Sequence, residues 1–166
     1  DFPQALDALA LRAGVVLEPL TPEKAAREEE EDRLHTLLEE ATAFFQHHLL
    51  NHPSGKRALD FLYKRGLENK TIETFGLGYA PDSWDAIIQH FTLKGYSLDE
   101  LNQAGLVTER SDGSGYYDRF RNRTIFPIRD GRGHMAGFGA RILNPDDVPK
   151  FINSPQTALF NKSNLL

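Results

Sequence analysis

Three arginines at alternating positions precede an apolar run in the segment from Tyr117 to Ile128. If this segment is extended, side chains alternate between its two faces, so Arg119, Arg121 and Arg123 project from the same face. A row of guanidinium groups offers forked N–H donors whose geometry suits phosphate oxygens. The pattern therefore predicts a partner that carries phosphates, most simply a nucleic acid. The alternative is a solvated surface on which the arginines pair with nearby acidic groups.

A second basic segment, Pro149 to Pro155, combines Lys150, Phe151 and Asn153 in a short stretch bracketed by prolines. A lysine for phosphate, an aromatic ring for a base and an amide for hydrogen bonding are the groups that single-strand binding uses. The same residues also suit an ordinary strand and turn, and this interpretation stays open.

Gly137, Gly139 and Arg141 form a glycine-rich group that lacks the fingerprint of a dinucleotide site, because no capped helix follows it. Glycine within a strand pattern marks a bulge or a close backbone approach. Packing against another element is one explanation. The approach of a nucleotide or of a template backbone beside Arg141 is the other.

No cysteine is present, so disulfides and thiolate zinc sites are excluded. His47, His48 and His52 have helical spacing that could bind a metal, but no well-placed carboxylate accompanies them, and histidines near a helix C-terminus commonly complement its dipole. No nucleophile elbow and no paired catalytic carboxylates are present. We therefore predict no catalytic residue, no metal ligand and no cofactor within this chain.

The charge is distributed unevenly along the sequence. The net charge is −5, yet residues 119–166 contain eight Lys and Arg against three Asp, a local charge of +5, which leaves −10 on residues 1–118. Such asymmetry indicates a basic binding face in the last third of the chain.

The elements that must position these residues fall into two groups, helices first and strands second. An apolar stripe from Leu34 to Leu49 predicts a long helix that Pro53 ends. Shorter helices follow, one capped by Asp82 or Ser83 and one by the capping box of residues 97–100.

After Gly105 the pattern changes to strands. Turn signals at residues 112–113 and 130–133 separate strand patterns at 123–128 and 135–143. Helices followed by strands predict an α+β fold with N-terminal helices and a small, mainly antiparallel sheet.

The N-terminal region is predicted to be an appendage. Residues 1–18 suit a short helix that ends at Gly14, and residues 19–32 combine two prolines with an acidic run, which suits a linker. The chain begins without Met, so we expect a piece of a longer protein. No apolar run is long enough to span a bilayer, and we expect a cytoplasmic protein.

Taken in order, several motifs resemble the RNA-polymerase core of bacterial-type DNA primase. The matching motifs are Lys64-Arg65-Gly66-Leu67, Phe75-Gly76-Leu77-Gly78-Tyr79-Ala80-Pro81, Gly105-Leu106-Val107, Tyr117-Asp118-Arg119-Phe120-Arg121-Asn122-Arg123, Phe126-Pro127-Ile128, Gly137-Phe138-Gly139-Ala140-Arg141 and Pro149-Lys150-Phe151-Ile152-Asn153-Ser154-Pro155. The resemblance implies that residues 33–166 are the N-terminal subdomain of that core, and that residues 1–18 trail a missing zinc-binding domain.

The resemblance also implies a parent nucleotidyltransferase that makes short RNA primers on single-stranded DNA from ribonucleoside triphosphates during replication. A Toprim domain with Mg²⁺ or Mn²⁺, a zinc-binding domain with Zn²⁺ and a domain that binds the replicative helicase would all lie outside this chain. The parent would act in the cytoplasm at the nucleoid, as part of the primosome. This chain would supply the basic half of the cleft and be inactive by itself.

Site residues carried over by the resemblance are the basic positions Arg65, Arg141, Lys150 and Lys162, together with Asn153 near the initiating nucleotide. Arg119, Arg121 and Arg123 match a basic family motif, with internal bracing as the alternative. Three departures from the family pattern are present. Ala140 replaces a usual glycine, Phe151 replaces a common tyrosine, and the turn around Lys162 is a loose match.

A second hypothesis belongs to a different class. The acidic N-terminal region could make the chain a non-catalytic module that docks a protein partner in a replication or repair complex.

Overall fold

Residues 5, 9, 10, 12–14 and 21–165 of the chain are described by a computed structural model. Clustering of contacts divides the chain into two units, residues 1–30 and residues 31–166. In the first unit, residues 5, 9, 10, 12 and 13 are helical and Gly14 forms a turn with φ of 66°. The other positions of the predicted 1–18 helix, and residues 19 and 20 of the predicted linker, lie outside the described residues.

The helices come first along the chain, as the sequence predicts. They are α1 (Pro22–Leu50), a 3₁₀ turn (Pro53–Gly55), α2 (Lys56–Lys64), α3 (Asn69–Thr74), α4 (Ala86–Leu93), α5 (Leu98–Gln103) and, at the end of the chain, α6 (Lys162–Leu165). The predicted capping box is present at α5, where Ser97 and Glu100 cap each other's backbone N–H groups.

Helix α1 begins earlier than the sequence analysis predicts, since residues 22–32 of the predicted linker form its first turns. Thr21 caps this end by accepting a hydrogen bond of 3.2 Å from the Lys24 backbone N–H. Pro22 occupies the first helical position, which it suits, and the following Glu, Lys, Ala and Arg residues have high helix propensity. The acidic run therefore extends a helix. The division of the chain at residue 33 stays a prediction.

Six strands form two antiparallel sheets. The strands are β1 (Gly78–Ala80), β2 (Val107–Glu109), β3 (Tyr116–Asp118), β4 (Arg123–Arg129), β5 (Met135–Ile142) and β6 (Phe151–Asn153). The larger sheet has the order β1-β4-β5-β6, and β2 pairs with β3 in the smaller one. The hairpins β2–β3 and β4–β5 turn at the predicted positions, and the predicted α+β class is confirmed.

The two faces of the larger sheet have different neighbours. Ile125, Ala140 and Ile152 lie in register across β4, β5 and β6, and they pack in one apolar cluster with α1 residues such as Phe45. Because side chains alternate along a strand, the row of Thr124, Arg141 and Phe151 projects from the opposite face. The sheet therefore buries one face against α1 and carries Arg141 on the other.

A second apolar cluster lies between the C-terminal end of α1, helices α2 and α3, and strand β1. Gly78 makes the close approach of β1 to α1 possible, since a Cβ there would lie 2.5 Å from the Phe45 Cβ. Phe61 of α2 packs at the edge of this cluster, half-buried. This packing places α2 beside the sheet face that carries Arg141.

Candidate nucleic-acid interface

Strand pairing positions Arg141 beside an exposed aromatic ring. Arg141 lies opposite Phe151 in the antiparallel pairing of β5 with β6. Directly opposite side chains project to the same side of a sheet, so the two meet. The Arg141 guanidinium carbon is 5.2 Å from the Phe151 ring centroid, and the Phe151 side chain is 57% exposed.

Helix α2 and the residue that caps its C-terminal end add a second ring and a second guanidinium group. Phe61 and Arg65 are four residues apart, which places them on one side of a helical turn. The guanidinium carbons of Arg65 and Arg141 each lie 5.4 Å from the Phe61 ring centroid. Lys150 extends the series, with its Nζ 5.7 Å from the Phe151 centroid. Cations and aromatic rings therefore alternate along this surface.

Phe61, Arg65, Arg141 and Lys150 line one cavity of 420 Å³, which we call the basic cleft. Three of the residues that the sequence analysis selects are thus brought together: Arg65 directly after α2, Arg141 in β5 and Lys150 in the segment before β6. Asp147 contributes a carboxylate to the same lining. The cleft has a net positive lining in a chain whose overall charge is negative.

The charged groups of the basic cleft keep their donors free. Within residues 21–165, the side chains of Arg65, Arg141 and Lys150 form no hydrogen bond and no ion pair, and each of them lies over at least one of the two rings. A contact with an aromatic face uses no N–H group. These donors therefore remain available for an anionic ligand.

Arg119, Arg121 and Arg123 line a different cavity of 410 Å³, which we call the arginine pocket. The expectation that they share one face of a single strand is wrong, because β3 ends at Asp118 and β4 begins at Arg123. Asn122 between them has φ of 48°, which breaks the extended conformation. The three side chains meet in the pocket although the backbone turns.

Two of these arginines hold the segment that carries Lys150. Arg119 donates through Nε and Nη2 to the Asn153 carbonyl oxygen at 3.1 and 2.9 Å. Arg123 donates through Nη1 to the Pro149 carbonyl oxygen at 2.8 Å. Both ends of the segment from Pro149 to Asn153 are therefore tied to the arginine pocket. Burial lowers the pKa of Arg119 and of Arg123, as expected for charges moved away from water.

Arg121 belongs to an aromatic cluster that the sequence analysis missed. Its guanidinium carbon lies 3.9 Å from the Trp84 ring centroid and 5.1 Å from that of Tyr117, and its Nη1 donates to the Asp118 carbonyl oxygen. Arg110 approaches the same two rings at 5.8 and 5.4 Å. Trp84 is 57% exposed. The one sequence feature that pointed to this cluster was the single tryptophan, Trp84, which directly follows a Pro-Asp-Ser turn.

The glycines of β5 are explained by packing within this chain. Asn153 lies opposite Gly139, and a Cβ on Gly139 would be 3.2 Å from the Asn153 Oδ1. A Cβ on Gly137 would be 2.7 Å from both Ser154 Oγ and a Phe160 ring carbon. Of the two explanations that the sequence left open, the structure supports close packing.

Lys162 is not brought into either cavity. It begins α6 with an exposed side chain, and its backbone N–H donates to Gln156 Oε1 at 3.4 Å. Asn153 also lies outside the two linings, half-buried in β6. The roles of both residues stay predictions.

The histidines at the end of α1 have structural partners. His48 Nδ1 donates to the Phe44 carbonyl oxygen at 2.9 Å, and His52 Nδ1 accepts from the Ser54 backbone N–H at 3.2 Å as the cap of the 3₁₀ turn. In the part of the chain that the structure describes, no group of three His, Cys, Asp or Glu could hold a metal ion. No helix there is long and apolar enough to cross a membrane.

Comparisons with known proteins give a consistent result. The family model of the DNA primase catalytic core, N-terminal domain, matches residues 44–166. A DNA primase of Deinococcus radiodurans is 44% identical over 165 residues, which cover 99% of this chain and 27% of the relative.

Solved structures agree with the family match. A DnaG primase catalytic domain bound to single-stranded DNA is 37% identical with a TM-score of 0.72, over 81% of this chain and 41% of that one. The zinc-binding and RNA-polymerase domains of the Aquifex aeolicus primase are 29% identical with a TM-score of 0.70, over 97% of this chain and 37% of that one. The chain spans 25% to 28% of the length of the curated relatives that it matches over its whole extent.

Proposed function

Because the chain belongs to the DNA primase family, as the N-terminal domain of the catalytic core, we propose that it forms the template-binding half of a primer-synthesising cleft. The parent protein polymerises short RNA primers on single-stranded DNA from ribonucleoside triphosphates. In this chain the basic cleft binds the phosphate backbone of a single nucleic-acid strand. The chain by itself makes no primers, because the resemblance assigns the metal-binding catalytic residues to a further domain of the parent protein.

One observation carries the proposal. Arg65, Arg141 and Lys150 converge in one cavity with their N–H donors unused among the described residues, and two aromatic rings alternate with them. Basic groups for the backbone and rings for the bases are what sequence-independent binding of single strands requires. Arg119 and Arg123 support the cleft indirectly by fixing the segment from Pro149 to Asn153.

The divalent ions and zinc expected from the resemblance belong to other parts of the parent protein. The chain has no cysteine, and its described residues form no cluster that fits a metal ion. A divalent ion in a neighbouring domain would neutralise the charge that develops during phosphoryl transfer. The residues of this chain would hold the template and the growing primer against that domain. We place the replicative helicase on a further domain, and the parent in the cytoplasm at the nucleoid.

Charge reversal tests this function. We expect the wild-type chain to bind a fluorescently labelled oligothymidylate with an affinity that falls as salt rises, since each neutralised phosphate of a single strand contributes about −0.7 to the log–log slope. Lys150→Glu and Arg141→Glu should each weaken binding by roughly 5- to 20-fold at low salt and flatten the slope by about one contact. The measurement is fluorescence anisotropy over a salt series.

Lys70→Glu is the matched control, because Lys70 is an exposed lysine of α3 that lines neither cavity. It makes the same change in net charge and should weaken binding much less. Equal losses for Lys70→Glu and Lys150→Glu would show that only net charge matters, and salt-independent binding would contradict phosphate recognition. In the parent enzyme, Lys150→Glu should lower primer synthesis without changing the unfolding midpoint.

The interaction-module hypothesis is not favoured. Its support was the acidic N-terminal run, which the structure places in the first turns of α1. The family match covers residues 44–166 and so includes the basic cleft instead.

A further inference from the structure

Two like charges share a single ring in the basic cleft. The guanidinium carbons of Arg65 and Arg141 are both 5.4 Å from the centroid of Phe61. Two cations that contact one ring repel each other unless something of opposite sign lies nearby. Asp147 lines the same cavity but forms no ion pair with either arginine among the described residues. The electron-rich face of Phe61 is the group that both cations contact.

An aromatic face restrains a guanidinium group in a way that a carbonyl or a carboxylate does not. It attracts the cation through its quadrupole and leaves every N–H donor unused. Arg119 shows the contrasting case, because its Nε and Nη2 are both spent on the Asn153 carbonyl oxygen. An arginine binds phosphate best when its guanidinium group is oriented and its N–H donors are still free. Contact with an aromatic ring provides this orientation without using a donor.

Phe61 is well placed to hold other side chains still. It lies in the middle of α2, half-buried, and packs against the second apolar cluster. Its own freedom is therefore small. A long arginine side chain is mobile when it is unrestrained, and immobilising it on binding costs affinity. A guanidinium that is already restrained loses less freedom when a ligand arrives.

We propose that Phe61 is a positioning residue that preorganises the guanidinium groups of Arg65 and Arg141 for the phosphates of a single strand. The proposal rests on the proposed function for its ligand. It adds a role for Phe61 that is exerted through the two arginines. Phe151 restrains Arg141 from the opposite strand but leaves Arg65 untouched, so Phe61 is the ring that couples the two cations.

Two measurements on the full chain test this role. The first is the order of the Arg141 Nε–Hε group by ¹⁵N relaxation, without any nucleic acid. We expect Arg141 to be more ordered than the exposed Arg57 in the wild type, and to lose that order in Phe61→Leu. The second is the affinity for the labelled oligothymidylate, which Phe61→Leu should weaken by roughly 3- to 10-fold with an unchanged salt slope, since no charge is removed.

Two further variants separate positioning from general stability. Phe61→Tyr keeps the aromatic face and should retain both the order of Arg141 and the affinity. Leu59→Ala removes another half-buried side chain of α2 from the same cluster, and should lower the unfolding midpoint without changing either readout.

The outcomes are distinguishable. Two results would overturn the positioning role and leave the proposed function intact. In the first, Arg141 stays ordered in Phe61→Leu. In the second, Arg141 loses its order but the affinity for the oligothymidylate stays at the wild-type value. A wild-type chain that does not bind the strand would overturn the proposed function, and the binding role of Phe61 with it.

Discussion

Arg119 and Arg141 line neighbouring cavities, yet their guanidinium groups have different partners. Arg119 donates two N–H groups to the Asn153 carbonyl oxygen, whereas the Arg141 side chain lies over two rings and forms no hydrogen bond or ion pair among the described residues. Both residues could be predicted from the sequence as candidate nucleic-acid ligands, because arginine spacing and motif resemblance depend only on residue type. The sequence could not distinguish them, because the partner of Arg119 lies 34 residues away and is a backbone carbonyl, which leaves no signature in residue identity.

The two arginines should therefore respond differently to truncation. Arg119→Ala leaves a half-buried carbonyl oxygen without its donors and should lower the free energy of unfolding by about 1–3 kcal/mol. Arg141→Ala removes no hydrogen bond within residues 21–165, only contacts with two rings, and should lower it by less, about 0.5–1 kcal/mol. Urea unfolding of both variants measures the difference. Equal effects would contradict the assignment of Arg119 as a brace and Arg141 as a ligand-binding group.

Asp118 joins two elements that are distant in sequence. Its buried carboxylate accepts from the backbone N–H groups of Ile87 at 2.7 Å and of Ile88 at 3.2 Å, and so caps α4 from the end of β3. The sequence predicted that Asp82 or Ser83 would cap this helix. Asp118 supplies the cap instead, 31 residues after Ile87, because chain folding brings β3 against the start of α4. Local capping rules contain no information about such a contact.

The buried cap predicts an unusual dependence of stability on pH. Desolvation raises the pKa of Asp118 to about 6, against the opposing effect of its two backbone hydrogen bonds. The folded state then binds more protons than the unfolded state between about pH 4 and 6, so this group's contribution to stability falls as pH rises through that window. The wild type should lose roughly 2 kcal/mol relative to Asp118→Asn between pH 4 and 7. Urea unfolding of both proteins across this range measures the relative loss.

Asp118→Asn has nearly the same shape and no charge to titrate, so the difference between the two proteins isolates this carboxylate. A wild type that gained stability relative to Asp118→Asn as pH rose would contradict the raised pKa. A difference independent of pH would mean that Asp118 titrates alike in the folded and unfolded chain.

At the level of elements, periodicity and turn signals predicted most of the fold. The apolar stripe of α1 and the two hairpin turns were visible in sequence because each depends on residues close together in the chain. Strand β1 was interpreted as a turn-rich connection, because Gly78–Ala80 is too short to show alternation and its partner Ile125 lies far along the chain. Its position depends on Gly78 packing against Phe45, which is a tertiary contact.

The chain has a net negative charge and yet contains a basic cleft. Most of the negative charge and the residues of the cleft lie in different parts of the sequence. Residues 1–30 contain seven acidic and three basic residues, so residues 31–166 carry a net charge of −1 against −5 for the full chain. Every cavity-lining residue discussed above belongs to the unit of residues 31–166. The described residues of the first unit line neither cavity, and its net charge of −4 lowers the overall attraction of the chain for a polyanion.

Removal of residues 1–30 should consequently strengthen binding of a single strand at low salt by about 2- to 5-fold, through lower long-range repulsion. The gain should disappear as salt rises, because the screening length falls from about 10 Å at 0.1 M to about 3 Å at 1 M. The unfolding midpoint should change little, since the buried residues of α1 begin at Leu34. Anisotropy titrations of both chains over a salt series measure this effect. If removal of residues 1–30 abolished binding of single-stranded nucleic acid, the predicted repulsion would be contradicted. The first unit would then have a direct part in recognition.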